Sequence, residues 1–294
     1  MKPRDSDHRR LLPVGVHRRS GKGGRALSVG APRYLPFKDP VKGKPPGLFA
    51  LDPATWVEVD ETFREQMAQR DRLLGSSPEL TLGCLRSADA AVGELVAALA
   101  RHLTSHENWQ MSGDSLRRPD GVAVALRPAV ETLGRMTQED WLILQDLGGP
   151  EYVLTAGALC FPGNWALPDK LGKPLTQVHD PVPGYTDALA ARVNRVFEAL
   201  HVDRPLQRLN WSLAKTDALH CPRPHESGAP LYLRVERQTL VRLPQTEAVV
   251  FGIKTYLTSL EALDLGDHAE LHAACLALTP QMREYKGIPD VGPS

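Results

Sequence analysis

Cys160 and His179 are the residues whose chemistry is hardest to dismiss. Cys160 ends a short, apolar, β-like run, YVLTAGALCF, and His179 follows a helical turn in KLGKPLTQVHDPVPGY, just before Pro181-Val182-Pro183. Either side chain can ligate iron: imidazole is the commoner ligand where oxygen binds, and thiolate favours O–O cleavage. The plainer reading is a buried free thiol and a helix-terminal imidazole, which the residues favour for Cys160 and leave in even balance for His179. Arg237 is the third candidate. In LYLRVERQTLVRLP, strand alternation puts it on one face with Leu231, Leu233, Val235 and Thr239, and puts Arg234, Glu236 and Gln238 on the other. A guanidinium continuing an apolar face is costly unless it meets an anion or a strong acceptor. Arg237 is therefore either an anion or ligand contact or the wet end of a strand.

Other clusters carry less. His268, His272 and Cys275 stand at i, i+4 and i+7 of a C-terminal helix, a spacing that could present three metal ligands. Leu271, Ala274, Cys275 and Leu278 form that helix's apolar stripe, however, and the histidines border it. HCPRPH, from His220 to His225, reads as a Pro-rich surface loop rather than a metal site. SGKGG has the glycines of a phosphate loop but no strand before it, and G-x-S-x-G, H-E-x-x-H and Walker A motifs are absent.

The elements that would hold these residues follow from periodicity. DETFREQMAQRDRLL is helical with Phe63, Met67 and Leu74 in phase, and ADAAVGELVAALARHL aligns Val92, Leu95, Val96, Leu99 and Leu103. A polar loop is expected around 105–121, and a third helix over AVETLGRMTQEDWLILQ. Past Gly148-Gly149-Pro150 the texture becomes β-like. A Pro-broken helical segment follows, then the amphipathic helix YTDALAARVNRVFEAL with Leu189, Val193, Val196, Phe197 and Leu200 inward. LQRLNWSL, LYLRVERQTLVRLP and AVVFGIKTYL read as strands, and LEALDLGDHAELHAACLAL as a closing helix. The order of helices, ββ, helices, βββ and helix argues for α+β with an antiparallel sheet.

Bulk properties bound the rest. The 294 residues carry no net charge, but residues 1–30 hold eight Lys/Arg and two Asp/Glu, leaving 27 and 33 for the remainder. A neutral-to-acidic body argues against nucleic acid as the main partner. Four scattered cysteines with no C-x-x-C pair exclude a zinc ribbon, a thioredoxin site and a c-type heme attachment, and read as reduced thiols. No apolar run nears the ~20 residues that span a bilayer, and no secretory signal is present, so a cytoplasmic protein with no membrane partner is expected. The expected organisation is a disordered basic leader over 1–32 and a Pro-rich wrap with a helical region over 33–150. A core with its C-terminal helix follows over 151–287, then a tail over 288–294. Tyr34, Phe37, Leu48, Phe49 and Trp56 would pin the wrap.

The blocks RYLPFKDP, GLFALDPATWVEVDETFREQMAQRDRLL, TQEDWLILQ, LTAGALCFPGNWALPDKLGKPLTQVHDPVPGYTDALAARVNRVFEAL, RLNWSL, LYLRVERQTLVRLPQTEAVVFGIKTYL and MREYKG together resemble the alpha-subunit-like family of heme-dependent oxidative N-demethylases. They cover about residues 33–287 in the family's order, and CFPGNW, the His179–Pro183 run and RVERQTLVRLP are the most specific. The resemblance implies a PAS-like α+β core that holds heme b and oxidises a methyl group of a secondary amine such as dimethylamine, with oxygen, to formaldehyde. It implies electrons from NADPH through reductase and ferredoxin-type partner subunits carrying flavin and an iron–sulfur cluster, and tetrahydrofolate on a partner as a formaldehyde acceptor. The alternative is a heme-binding PAS sensor or assembly module without turnover. On this reading His179 is the axial ligand, with Cys160 its rival, and Trp165 and Arg237 are further cofactor contacts. Because the amine is a cation in water, the pocket must favour its neutral form or move its proton. Glu236 and Tyr256 are candidates for that work, beside Arg237.

Overall fold

LYLRVERQTLVRLP and AVVFGIKTYL alternate for long enough to make two full-length strands, and they pair with each other along their entire length. These strands are β9 (Tyr232–Arg242) and β10 (Val249–Ser259), in antiparallel register from Val249↔Arg242 to Ser259↔Tyr232. The computed structural model describes residues 32–39, 47–180, 182–184, 187–223 and 228–289. The basic leader, the end of the tail, Pro181, Tyr185 and His225 lie outside the described residues.

Around β9 and β10 a seven-stranded sheet forms. Its other members are β1 (Phe49–Ala50), β2 (Leu82–Cys84), β6 (Asp140–Gln145), β7 (Val153–Ala158) and β8 (Leu206–Ala214). The order across the sheet is β1-β8-β9-β10-β6-β7-β2, and every neighbouring pair is antiparallel. A separate three-stranded sheet comprises β3 (Gln110–Ser112), β4 (Ser115–Arg117) and β5 (Ala123–Ala125). The helices are α1 (Phe63–Ser76), α2 (Pro78–Thr81), α3 (Asp89–Thr104), α4 (Val130–Met136), α5 (Leu175–Val178), α6 (Asp187–Glu198), α7 (Leu265–Leu276) and α8 (Pro280–Tyr285). The class is α+β, with a helical region before the main strands.

Because a strand's side chains alternate, the large sheet has two chemically distinct faces. One packs on the N-terminal helices: Trp141, Ile143, Ala156, Ala158 and Val250 share a core with Val92, Leu95 and Leu99 of α3. The other packs on α5 and α6: Leu142, Leu144, Leu240, Val249 and Ile253 share a core with Leu175, Phe197 and Leu200. These are called the α3 face and the α5 face below. The wrap reaches both, since Trp56 belongs to the first core and Leu48 packs on the second, while Tyr34 and Phe37 pack with Trp211 beneath α7.

Two expectations need correction. The third helix stops at Met136, and DWLILQ is strand β6, paired with both β10 and β7. Its run of apolar residues serves a strand covered on both faces, which periodicity does not distinguish from a buried helix. The expected polar loop contains β3 and β4, three residues each. The break at residue 150 falls between β6 and β7, so the sheet draws strands from both sides of it.

Candidate functional site on the α5 face

The segment carrying His179 is held to the sheet by short-range bonds. Glu151 accepts the backbone N–H and hydroxyl of Thr176 at 2.8 and 2.9 Å, and the N–H of Leu175 donates to the Tyr152 carbonyl at 3.1 Å. Leu175 is buried and Val178 packs on the α5-face core, so the helix ends with His179 over the strands. The imidazole Nδ1 lies 2.9 Å from the Leu175 carbonyl. A carbonyl can only accept, so Nδ1 carries the proton and the ring's lone pair is on Nε2. Metal-binding histidines are commonly prepared in this way. Burial holds this imidazole below its ordinary pKa. The Leu175 bond opposes that fall, and the charges of Arg208 and Lys170 add to it.

The strands beneath supply charge. Arg208, Asn210, Arg234, Glu236 and Gln238 all point to the α5 face, as the β8–β9 register requires. Glu236 is held from three sides: Arg234 Nε lies 3.3 Å from Oε1, while Gln238 Nε2 and Asn210 Nδ2 donate to Oε2 at 2.9 and 3.4 Å. Arg234 also donates to the carbonyls of Phe161 at 2.7 Å and Leu219 at 3.4 Å, and to Thr255 Oγ1 at 3.3 Å. Lys286, just after α8, donates to Asn210 Oδ1 at 3.1 Å and to the Trp211 carbonyl. Burial pushes its ammonium down to about 8, with Glu236 opposing and Arg208 adding to the shift.

The CFPGNW loop closes over this cluster. Gly163 approaches so closely that a Cβ there would lie 3.1 Å from Arg234 Nε and 3.3 Å from Glu236 Oε1. Asn164 N–H donates to the Cys221 carbonyl at 2.7 Å and Cys221 N–H to the Pro162 carbonyl at 3.1 Å, which ties the loop to residues 219–221. His220 Nδ1 contacts the Cys160 carbonyl at 2.8 Å. Trp165 packs on the α5-face core with Val178 and Phe251, so it shares a face with His179.

Cys160 is set apart. It is fully buried among Leu74, Phe161, Leu219 and Leu257. Asp140 accepts its N–H at 2.7 Å and that of Phe161 at 3.0 Å, and Arg70 pairs with the same carboxylate at 2.8 Å. Burial raises the thiol to about 11, with Arg70 opposing and Asp140 adding to the rise. These surroundings keep it a neutral thiol.

Arg237 and Tyr256 are on the α3 face, across the sheet from Glu236 and His179. Tyr34 and Tyr256 both donate to Glu58, the former at 2.6 Å, and Arg237 Nε lies 3.5 Å from the same carboxylate. Arg237 also donates to Gln207 Oε1 at 3.1 Å and to the carbonyls of Trp56 and Thr55 at 3.3 and 2.7 Å. At 2% exposure it is no wet strand end. It meets an anion, as a buried guanidinium must, but the anion is Glu58 of the wrap. Burial and Glu58 push the Tyr256 phenol far up. Arg237 and Tyr256 thus fasten the N-terminal segment, and the expected grouping of Arg237, Glu236 and Tyr256 is not assembled. Among the described residues no group of three His, Cys, Asp or Glu could hold a metal ion. Cys275 packs with Leu271 on the buried side of α7, on the apolar stripe read from the sequence, and joins no metal site with His268 and His272 among the described residues.

Sequence reading passed over Arg208, Asn210 and Lys286. Arg208 is visible in LQRLNWSL as a cation inside a strand, the signal that drew attention to Arg237; Lys286 comes to the face by tertiary packing, which no local pattern announces.

One side of the antiparallel sheet thus carries an imidazole with a committed Nδ1 together with the cations Arg208, Arg234 and Lys286. The chain belongs to the family described as Haem-dependent oxidative N-demethylase, alpha subunit-like, which it matches over residues 47–294. The donor chemistry of the α5 face fits heme on its own terms: an imidazole prepared at Nδ1, apolar side chains of Trp165, Val178, Phe251 and Ile253 on the same face, and cationic side chains on the strands.

Proposed function

We propose that this chain is the heme-binding catalytic subunit of an oxidative N-demethylase acting on a small secondary amine such as dimethylamine. The observation that carries this reading is the His179 imidazole, fixed by its Nδ1–H to the Leu175 carbonyl above a charged strand surface. His179 would hold the iron of heme b. Heme, when bound, supplies the redox chemistry that lets oxygen oxidise an N-methyl carbon. The overall change balances as amine, oxygen, two electrons and two protons giving the demethylated amine, formaldehyde and water. The electrons would come from NADPH through partner subunits with flavin and an iron–sulfur cluster, and tetrahydrofolate on a partner could accept the formaldehyde.

The chain's own residues bind, orient and manage protons. Trp165, Phe251 and Ile253 exclude water from the face. Glu236, oriented by Arg234, Gln238 and Asn210, offers a carboxylate that pairs with the ammonium form of the amine and receives its proton. An amine must shed that proton before its methyl carbon is easily oxidised. Tyr256, across the sheet, takes no part. The ββ–helices–βββ order of β6, β7, α5, α6, β8, β9 and β10 supports a PAS-like core, and the sparse unpaired cysteines support a cytoplasmic setting.

The test is the absorption spectrum of protein purified from heme-supplemented cells, oxidised, reduced and with carbon monoxide. A Soret band with an imidazole-type ferrous–CO spectrum is expected, with NADPH-dependent formaldehyde release once a reductase is supplied. Protein without a Soret band would overturn the reading; heme without amine turnover would make this a sensor.

A further inference from the structure

We propose that Arg208 is the seat of a carboxylate brought by the bound group, presented by heme as a propionate. This rests on the heme reading of the α5 face and adds a residue whose own environment makes the case. Four arginines stand on the strands of the large sheet. Arg234 donates to Phe161, Leu219, Thr255 and Glu236, and Arg237 to Gln207, Thr55 and Trp56. Arg242 donates to Leu200, Phe197, Glu247 and Tyr152. Arg208 alone makes no hydrogen bond or ion pair to the described residues, and its Nε is buried without a partner.

Arg208 is half-buried, and its enclosed Nε is a donor that has given up water and gained nothing directional in return. Burial lowers its pKa, and the attraction of Glu236 offsets this only in part. Glu236, oriented by Arg234, Gln238 and Asn210, attracts Arg208 without a hydrogen bond or ion pair to it. Three cations, Arg208, Arg234 and Lys286, therefore face one carboxylate on this part of the sheet. The excess is positive, and Arg208 is the member with donors to spare. Its planar fork matches a carboxylate in bidentate geometry. Arg208 projects from β8 onto the α5 face, the face on which Leu175 and Val178 pack the segment that carries His179.

The carboxylate could be a heme propionate or a carboxylate on the amine substrate, and the experiment separates them. Apoprotein of the wild type, Arg208→Leu and Arg208→Lys is titrated with heme b and with heme dimethyl ester, whose propionates carry no charge. The release rate of each to excess apomyoglobin is then measured. Loss of a charge-assisted pair should speed release of heme b from Arg208→Leu by roughly tenfold or more, with partial recovery in Arg208→Lys. The dimethyl ester should leave wild type and Arg208→Leu at similar rates. The melting temperature of Arg208→Leu apoprotein should equal or exceed that of wild type, because no hydrogen bond or ion pair to the described residues is lost and an enclosed unpartnered Nε is removed. A structural arginine would give the opposite sign. If heme b release is unchanged but only wild type shows a spectral shift with N-methylglycine, the seat stands and its carboxylate is the substrate's. Unchanged heme b release together with unchanged N-methylglycine response overturns the proposal while leaving the heme reading intact. So does a destabilised apoprotein that loses heme b and its ester alike. Wild type that takes up no heme at all ends the heme reading, and the propionate seat with it.

Discussion

Two side chains compete for iron, and their surroundings separate them. A thiolate ligand must first lose its proton, yet Cys160 sits where burial raises the thiol to about 11 beside the Asp140 carboxylate. His179 is already the neutral ligand form, since burial lowers its pKa and Nδ1 is committed to a carbonyl. His179→Ala is expected to lose heme or shift its spectrum, and Cys160→Ser to do neither. A red-shifted, thiolate-type ferrous–CO band that vanishes in Cys160→Ser would reverse the assignment. Arg237 calls for a different expectation. Replacing it with Leu removes the buried cation beside Glu58, which keeps its two tyrosine donors and Arg33, and leaves two carbonyls without their donor, a loss of about 3 kcal/mol. Urea unfolding should show that loss, while the heme content of the protein that remains folded stays at the wild-type ratio. Full stability with depleted heme would return Arg237 to the cofactor.

At the scale of elements, close approach across the sheet sets what each strand tolerates. Gly252 of β10 faces Thr239 and the Trp141 ring, and a Cβ there would lie 2.6 Å from both Thr239 Oγ1 and Trp141 Cζ3. Neither neighbour can withdraw easily, because Trp141 is fully buried and its Nε1 donates to Thr137 Oγ1 at 3.0 Å. Gly252→Ala should therefore cost roughly 2 kcal/mol by overpacking, read from the denaturation midpoint; a neutral result would show that β6 slides with little resistance. This packing also explains what sequence could and could not reveal. The stripe of α3 and the alternation of β8 to β10 were legible because each buries a single periodic set of residues. β6 was not, because both of its faces are covered, and β3 and β4 were hidden by their brevity. At the site, His179 stood out by residue type and setting. Arg237 stood out for a sound physical reason, but which anion it meets depends on a wrap 180 residues away, beyond any local pattern. The functional claim of Arg208 lies in missing partners, and only the folded chain reveals those.

At the scale of the whole molecule the wrap joins three cores, and its attachment to the α3 face is expected to be sensitive to acid. Trp56 lies edge-on between the Trp141 and His102 rings, with centroid separations of 5.6 and 5.5 Å, and His106 follows at 5.0 Å from His102. His102 Nε2 is buried without a hydrogen-bond partner. Burial, with the neighbouring His106 adding to it, lowers the His102 imidazole to about 4 from its ordinary 6.5. The folded-state value is thus the depressed one. The unfolded chain binds the proton more readily, so this contribution to stability is intact above pH 6.5 and is lost as pH falls towards and through 4. At about 1.4 kcal/mol per unit the full window would be about 3.5 kcal/mol, but the partial exposure of His102 reduces the expectation to ~1 kcal/mol. Carboxylates such as Asp60 and Asp120, held below their ordinary range despite burial by Lys254 and Arg118, also destabilise the fold in acid, so the slope of the wild type alone proves nothing. The comparison with His102→Phe isolates the imidazole, since a phenyl ring keeps the contact with Trp56 and does not titrate. Urea midpoints measured from pH 7 to pH 4 should fall more steeply for the wild type, with the two curves diverging below about pH 6. Parallel curves would mean that His102 is neutral in both states across this range and that the hold on the wrap is indifferent to it.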